Sequence, residues 1–266
     1  MSQRCQAVLY RLLTTGYCLL GAVFCHNPHV RIAFDMDGVL ADMNGALARI
    51  AEREFGVTTK IAFAEPGADT NRGDEEKADD RPAGYDTAYL ANLSARQQSR
   101  LWQRCRATRN FWETLGECEP GAVRRIQKLA HDLRWDVIFV TQRPSSAGRT
   151  PQLQTQHWLR RHGFEYPAVY TTIGSRGAIA AALTLDALID DRLQNCVDVA
   201  TDSKAWPILV WREAESIDRI RKGAANLGIA VVATVAEALD KIAEAERAAA
   251  QPEQPSLLDR LRRAFK

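Results

Sequence analysis

The sequence predicts an α/β protein: a doubly wound parallel sheet with a small helical cap inserted after the first strand. Two observations carry this. From residue 120 onward, short apolar runs alternate with stretches of helical periodicity, as expected for strands covered by helices on both faces. Between the first apolar run and that series lie residues 43–118, which read as a mostly helical insertion.

The elements follow in order. Residues 31–35 form a short buried strand ending on Asp35. A helix is expected from about Asn44 to Glu54, stopped by Gly56. Residues 65–86, EPGADTNRGDEEKADDRPAGYD, combine Gly, Pro and acids and read as a loop. Helical character returns over 87–113, with Leu90, Leu93, Leu101 and Trp102 as apolar positions. Pro120 is suited to a first helical position, with Val123, Ile126 and Leu129 or Ala130 inward. The strand DVIFV, 136–140, ends at Thr141, and Thr150-Pro151 starts a helix that Gly163 can end. A strand at 168–171, a helix at about 176–183, the strand ALID at 187–190 and a helix near 193–203 come next. The strand PILVW at 207–211, a helix near 214–226 and a strand at 229–232 complete the series. The organisation is therefore an N-terminal apolar segment (1–30), a core (31–42 and 119–235), the inserted helical cap (43–118) and a helical tail (236–266). The end of that tail, SLLDRLRRAFK, is basic and amphipathic, which suits a frayed terminal helix or a contact with an anionic surface.

Composition narrows the function. A net charge of +2 over 266 residues gives no field suited to a nucleic-acid polymer. The six cysteines (Cys5, Cys18, Cys25, Cys105, Cys118, Cys196) lack the short spacings of a zinc site and suit unpaired thiols in a reducing compartment. No acid precedes Asp35, and LLTTGYCLLGAVFC at 12–25 has the character of a targeting segment. It is short for a stable membrane span, and no clean cleavage site follows it. A packed N-terminal helix or a start codon placed too far upstream are the alternatives, and a cytoplasmic protein is the expectation.

Ligands of open parallel sheets sit beyond the carboxyl ends of the strands. Asp35 and Asp37 follow the first strand, Thr141 the second, and Asp190 and Asp191 close ALID, while Arg176 opens the helix after the strand at 168–171. Any one of these has an ordinary explanation as a turn, a cap or a solvated charge. Jointly they gather several carboxylates at one sheet edge, which repel unless a cation or a chemical task holds them. Oxygen ligands without histidine or thiolate favour magnesium over zinc.

The constellation resembles the haloacid dehalogenase-like phosphohydrolase superfamily. FDMDGVLAD matches that family's first motif and FVTQRP its second; Arg176 occupies the place where a lysine is usual, and LIDD supplies the acidic fourth motif. A narrower resemblance is to the 5′(3′)-deoxyribonucleotidase branch, in the DxDGVLAD opening, in NFWETLGECEPGAV at 110–123 and in the stretch from Gln152 through HGF.

The resemblance implies a Rossmann-like core and a magnesium-dependent phosphomonoesterase acting through an aspartyl-phosphate. Asp35 is then the nucleophile and Asp37 the general acid and base. Asp35, Asp37, Asp190 and Asp191 are the metal ligands, Asp37 through its backbone carbonyl. Thr141, the amides near Met36 and Gly38, and Arg176 hold the phosphoryl group, with Arg143 or Arg149 able to share the role of the missing lysine. Trp102, Phe111 and Trp112, with Arg143, are candidates for the substrate contact, although at least two of the aromatics are expected to pack the cap's own core. The expected substrate is a small phosphorylated metabolite, a nucleotide first and a sugar phosphate second. The rival class is a catalytically silent binding module, and the residues leave the oligomeric state open.

Overall fold

The computed structural model describes residues 29–58 and 93–250, with side chains to residue 248. The expectations for the N-terminal apolar segment, the 65–86 loop, Leu90 and the basic end of the tail lie outside these. The chain divides into two units, Met1–Val30 and Arg31–Lys266, and the description concerns the second. No described helix is long and apolar enough to cross a membrane.

The elements of the sheet alternate with helices as expected. They are β1 (Arg31–Asp35), α1 (Met43–Phe55), α2 (Ala95–Ala107), a single 3-10 turn (Phe111–Glu113), α3 (Ala122–Leu133), β2 (Asp136–Thr141), α4 (Pro151–Arg161) and β3 (Ala168–Thr171). Then come α5 (Arg176–Ala182), β4 (Ala187–Asp190), α6 (Leu193–Asp202), β5 (Trp206–Val210), α7 (Ile217–Ala225), β6 (Ala230–Val232) and α8 (Val235–Ala250). The strands form one six-stranded sheet in the order β3-β2-β1-β4-β5-β6. Every neighbouring pair is parallel. The chain builds outward from β1 to β3, then crosses back to place β4 on the other side of β1. That reversal opens a crevice at the carboxyl ends of β1 and β4, where open sheets of this order bind their ligands.

Strand periodicity decides which side chains reach the crevice. Ala33 and Leu188 are register partners and belong to one buried cluster with Val140, Ile179 and Val199, between the sheet and α5–α6. Side chains two residues apart share a face. Asp35 and Asp190 therefore lie on the α5 side of the sheet, one strand apart. The other face carries Phe34 and Phe139, with ring centroids 6.2 Å apart, and Phe164 stands edge-on to Phe139 at 4.9 Å.

The helix ends have local causes. Asp42 caps α1 by accepting from the Gly45 amide at 2.8 Å, and Gly56 ends it at φ 65°, a conformation costly for other residues. Ser94 and Gln97 make a reciprocal capping box at α2. Within the inserted residues, α1 buries Met43, Ala46, Leu47 and Ala51, and α2 buries Leu101, Trp102 and Cys105, each at helical spacing. One boundary differs from expectation. Pro120 is not the first residue of α3, which starts at Ala122 behind Gly121. The Glu117 carboxylate accepts from the Gly121 and Val123 amides at 2.8 and 3.1 Å, so a side chain from upstream sets the start.

Candidate active site

Three carboxylates meet at the switch point. Asp35 closes β1, Asp190 closes β4 and Asp191 follows it. Asp190 is fully buried and Asp35 nearly so. Arg176, at the start of α5, reaches both: its Nη2 donates to Asp35 Oδ1 at 2.8 Å and its Nε lies 3.5 Å from Asp190 Oδ2. This arginine is itself buried, because α5 packs Ile179 and Ala180 into the cluster under β1 and β4. The second Asp35 oxygen accepts from the Asp37 amide at 3.1 Å. Asp190 is held from the other side by Asn195 Nδ2, at 3.0 and 2.9 Å to its two oxygens, and by the Arg192 amide at 2.9 Å. Neither Asn195 nor its role was anticipated; its only signal is a position on the first turn of the helix after LIDD.

Burial and crowding raise the proton affinity of these acids. The Asp35 carboxyl is pushed up to about 7, first by burial and then by the negative charge of Asp190, against the pull of Arg176. Asp190 is raised by burial, opposed by Arg176. Asp191 is raised well above its ordinary range, by burial and by the charges of Asp190 and Asp35. The Asp191 carboxylate presses on Gly38: a Cβ there would stand 1.8 Å from Asp191 Oδ2. Glycine at 38 thus answers both a φ of 86° and the approach of this acid.

Asp37 has a separate arrangement. Arg143 grips its carboxylate, with Nε 3.0 Å from both oxygens and Nη2 2.6 Å from Oδ1. The side chains are 0% and 8% exposed, so water hardly competes for the pair. Arg143 therefore does reach the crevice, but on Asp37 rather than on Asp35. Arg149 does not reach it: its guanidinium lies 3.2 Å from Glu113, at the surface.

Thr141 ends β2 one register step beyond Val140, the partner of Asp35. Its hydroxyl is buried and finds no hydrogen-bond partner among the described residues. A buried unpartnered hydroxyl is costly unless something else is bound there. The amide of Gly38, expected to face a ligand, instead donates to the Ala41 carbonyl at 3.0 Å inside the turn that follows β1. The Met36 side chain is fully buried, and its carbonyl accepts from the Leu40 and Ala41 amides at 2.9 and 2.7 Å. The same turn is clasped by Arg212, two residues beyond β5, which donates to the Gly38 and Val39 carbonyls and, at 2.8 Å, to Glu119. The strand-end rule that singles out Thr141 and Asp190 points equally to Arg212.

The aromatic expectation needs correction. Trp102, Phe111 and Trp112 are 0%, 2% and 1% exposed, so none offers an open face for a base to stack upon. Trp102 is buried on α2. Trp112 donates from its indole nitrogen to the Pro144 carbonyl at 2.9 Å and lies beneath Arg143, whose guanidinium carbon is 5.0 Å from the ring centroid. Phe111 meets Trp112 edge-on at 5.0 Å and, with Arg49, Arg53 and Arg104, lines a cleft of about 380 Å³ beside α1 and α2.

The donor set can be compared with what a magnesium ion requires. Among the described residues no group of three or more His, Cys, Asp or Glu side chains is arranged to hold a metal ion by itself. Yet Asp191 makes no hydrogen bond or ion pair with any described residue, although the charges of Arg192 and Arg212 act on it, and Arg176 is shared between Asp35 and Asp190. Carboxylate oxygens left without a direct donor suit a hard divalent cation that completes its shell with water, backbone carbonyl or phosphate.

No family model matches the sequence. No curated protein matches it either. Solved structures similar to this chain include a haloacid dehalogenase-like hydrolase from Streptococcus pneumoniae, 14% identical over 80% of this chain and 98% of that one, with a TM-score of 0.42. Another is a HAD hydrolase, family IA, variant 3, from Entamoeba histolytica, 12% identical over 78% of this chain and 94% of that one, also at 0.42. The functional reading rests on the residues of the crevice and not on these likenesses.

Proposed function

We propose that the protein is a magnesium-dependent phosphomonoesterase of the haloacid dehalogenase-like type, working through an aspartyl-phosphate. The observation that carries this reading is the crevice itself: Asp35 and Asp190 at adjacent strand ends, bridged by Arg176, with Asp191 unpaired beside them. In the first half-reaction an Asp35 oxygen attacks phosphorus, the bond from phosphorus to the leaving oxygen breaks, and Asp37 delivers a proton to that oxygen. In the second, water attacks the phosphoryl group, Asp37 takes the proton from that water, and the bond to Asp35 breaks to release phosphate. Arg176 offsets negative charge at the nucleophile, and the free Thr141 hydroxyl suits a phosphoryl oxygen. Asp35, Asp190, Asp191 and the Asp37 carbonyl would hold the metal, which when bound supplies neutralising charge to the phosphoryl oxygens.

The substrate class supported is a small phosphate ester. A nucleotide rests on the resemblance of the DxDGVLAD opening and of residues 110–123 and 152–164, since the aromatics proposed to stack are enclosed; a sugar phosphate is the second reading. The test is phosphate release from a panel of nucleoside monophosphates and sugar phosphates, with magnesium and with chelator. Release that needs magnesium and disappears in Asp35→Asn is the expected result. No release from any ester under any divalent condition would support the silent binding module.

A further inference from the structure

We propose that Arg143 is a positioning residue: it fixes the Asp37 carboxyl in the place from which it serves the leaving group, and Trp112 and Thr155 in turn fix Arg143. This rests on the reading of Asp37 as acid and base. Its starting point is that every nitrogen of Arg143 is already engaged by the protein. Nε and Nη2 are spent on Asp37, and Nη1 donates to the Thr155 hydroxyl at 2.9 Å. One face of the guanidinium rests on the Trp112 ring, and the side chain has no exposed surface. To touch a phosphoryl oxygen it would have to abandon a buried carboxylate, and a buried charge stripped of its partner is strongly unfavourable.

The shell behind Arg143 is equally closed. Thr155 is buried on the second turn of α4, and its hydroxyl donates onward to the Pro151 carbonyl at 2.7 Å. Its neighbour Gln154, also buried, accepts from the Trp112 amide at 3.0 Å and donates to Ser146 at 3.0 Å and to the Arg149 carbonyl at 2.5 Å. Trp112 is thus pinned by amide and indole alike. A planar fork held at both ends and on one face leaves a carboxylate one orientation. Proton transfer needs that, because the acid must stand within hydrogen-bond reach of the leaving oxygen. The chain of contacts explains why Trp112 and Arg143, both expected to touch substrate, touch each other instead.

A substrate-binding arginine and a positioning arginine fail differently. The test compares kcat and KM for p-nitrophenyl phosphate, whose leaving group departs without help, and β-glycerol phosphate, whose alkoxide needs a proton. Four full-length variants are used: Asp37→Asn, Arg143→Gln, Arg143→Lys and Thr155→Val. For Arg143→Gln, kcat on the alkyl ester should fall roughly 10²-fold, with the aryl ester and both KM values within about threefold of wild type. Arg143→Lys should recover part of the loss, since it keeps the charge without the fork. Thr155→Val, which disturbs neither Asp37 nor the Arg143 charge, should lower kcat on the alkyl ester alone, by roughly fivefold, and carries the test if the Arg143 variants do not fold. A rise in KM for both esters, or an alkyl-to-aryl ratio unchanged in Thr155→Val, overturns the proposal while a selective alkyl loss in Asp37→Asn leaves the parent reading intact. Near-wild-type rates for both esters in Asp37→Asn remove the parent reading and this proposal with it.

Discussion

Two buried arginines flank the first strand, and they are employed in opposite ways. Arg143 serves one carboxylate, with three hydrogen-bond contacts to Asp37, a threonine and an indole to finish its shell. Arg176 is divided between Asp35 and Asp190, and Asp191 beside them feels Arg192 and Arg212 without an ion pair to either. One side of the crevice is thus complete in charge and geometry, and the other is short of direct ion pairs. Pairing one to one makes a rigid fixture, whereas sharing leaves a place that an added cation would improve.

Substitution of the proposed nucleophile makes the largest break in this comparison. Asp35→Asn removes the anion proposed to attack from the unfinished side, and steady-state phosphate release should drop below detection while ligand-induced stabilisation persists, measured by thermal melting with inorganic phosphate. Substitution on the finished side should be graded: on the proposed mechanism Asp37→Asn keeps Asp35 and should slow phosphoenzyme formation by about 10²–10⁴-fold for an alkyl ester, far less for an aryl one, in rapid-quench experiments.

Next in size is a pH effect that belongs to the unfinished side alone. Asp35 titrates near 4 when unfolded and at about 7 when folded. The folded state therefore binds an extra proton between these values, so the stability of the metal-free protein should fall as pH rises from about 4 through about 7, with Asp190 and Asp191, raised as well, adding to the slope. Denaturant melts in chelator across that range measure the slope. Magnesium should flatten it, and Asp35→Asn should reduce it; a slope unchanged in that variant would mean that other groups set it.

The smallest expected effect probes the seam between the two sides. Gly38→Ala places a methyl at φ 86° against Asp191. A destabilisation of about 1–2 kcal/mol is expected from the backbone alone. Weaker magnesium-induced stabilisation should accompany it, because Asp191 must move.

Much of this contrast was legible in the sequence and part of it was not. Strand ends are readable because apolar runs stop where chemistry starts: ALID and β1 match their apolar runs to the residue. β5 lies one position earlier than the apolar run PILVW, because Trp206 and Trp211 flank PILV and hydrophobicity cannot choose between them. What no local pattern reveals is the pairing of charges. Arg143 meets Asp37 across 106 residues, and Arg212 meets Gly38 across 174. Distances of that kind are set by strand order, and a sequence shows the acids without showing which arginine each will own. The aromatics of the insertion failed for a related reason: composition announces a tryptophan, while burial decides whether any face remains to meet a ligand.

The clasp by Arg212 reaches beyond the turn it holds. Its partner Glu119 also accepts from the Val235 and Ala236 amides at 2.7 and 3.3 Å, at the start of α8. A surface turn ordinarily opens by itself many times before a protein unfolds. Here the turn behind Asp35, the end of β5 and the first turn of α8 share one carboxylate and one guanidinium, so freeing the turn means loosening three distant segments together. Backbone amides at Leu40 and Ala41 should accordingly exchange with solvent as slowly as those of the central strands, a loop with the kinetics of a core.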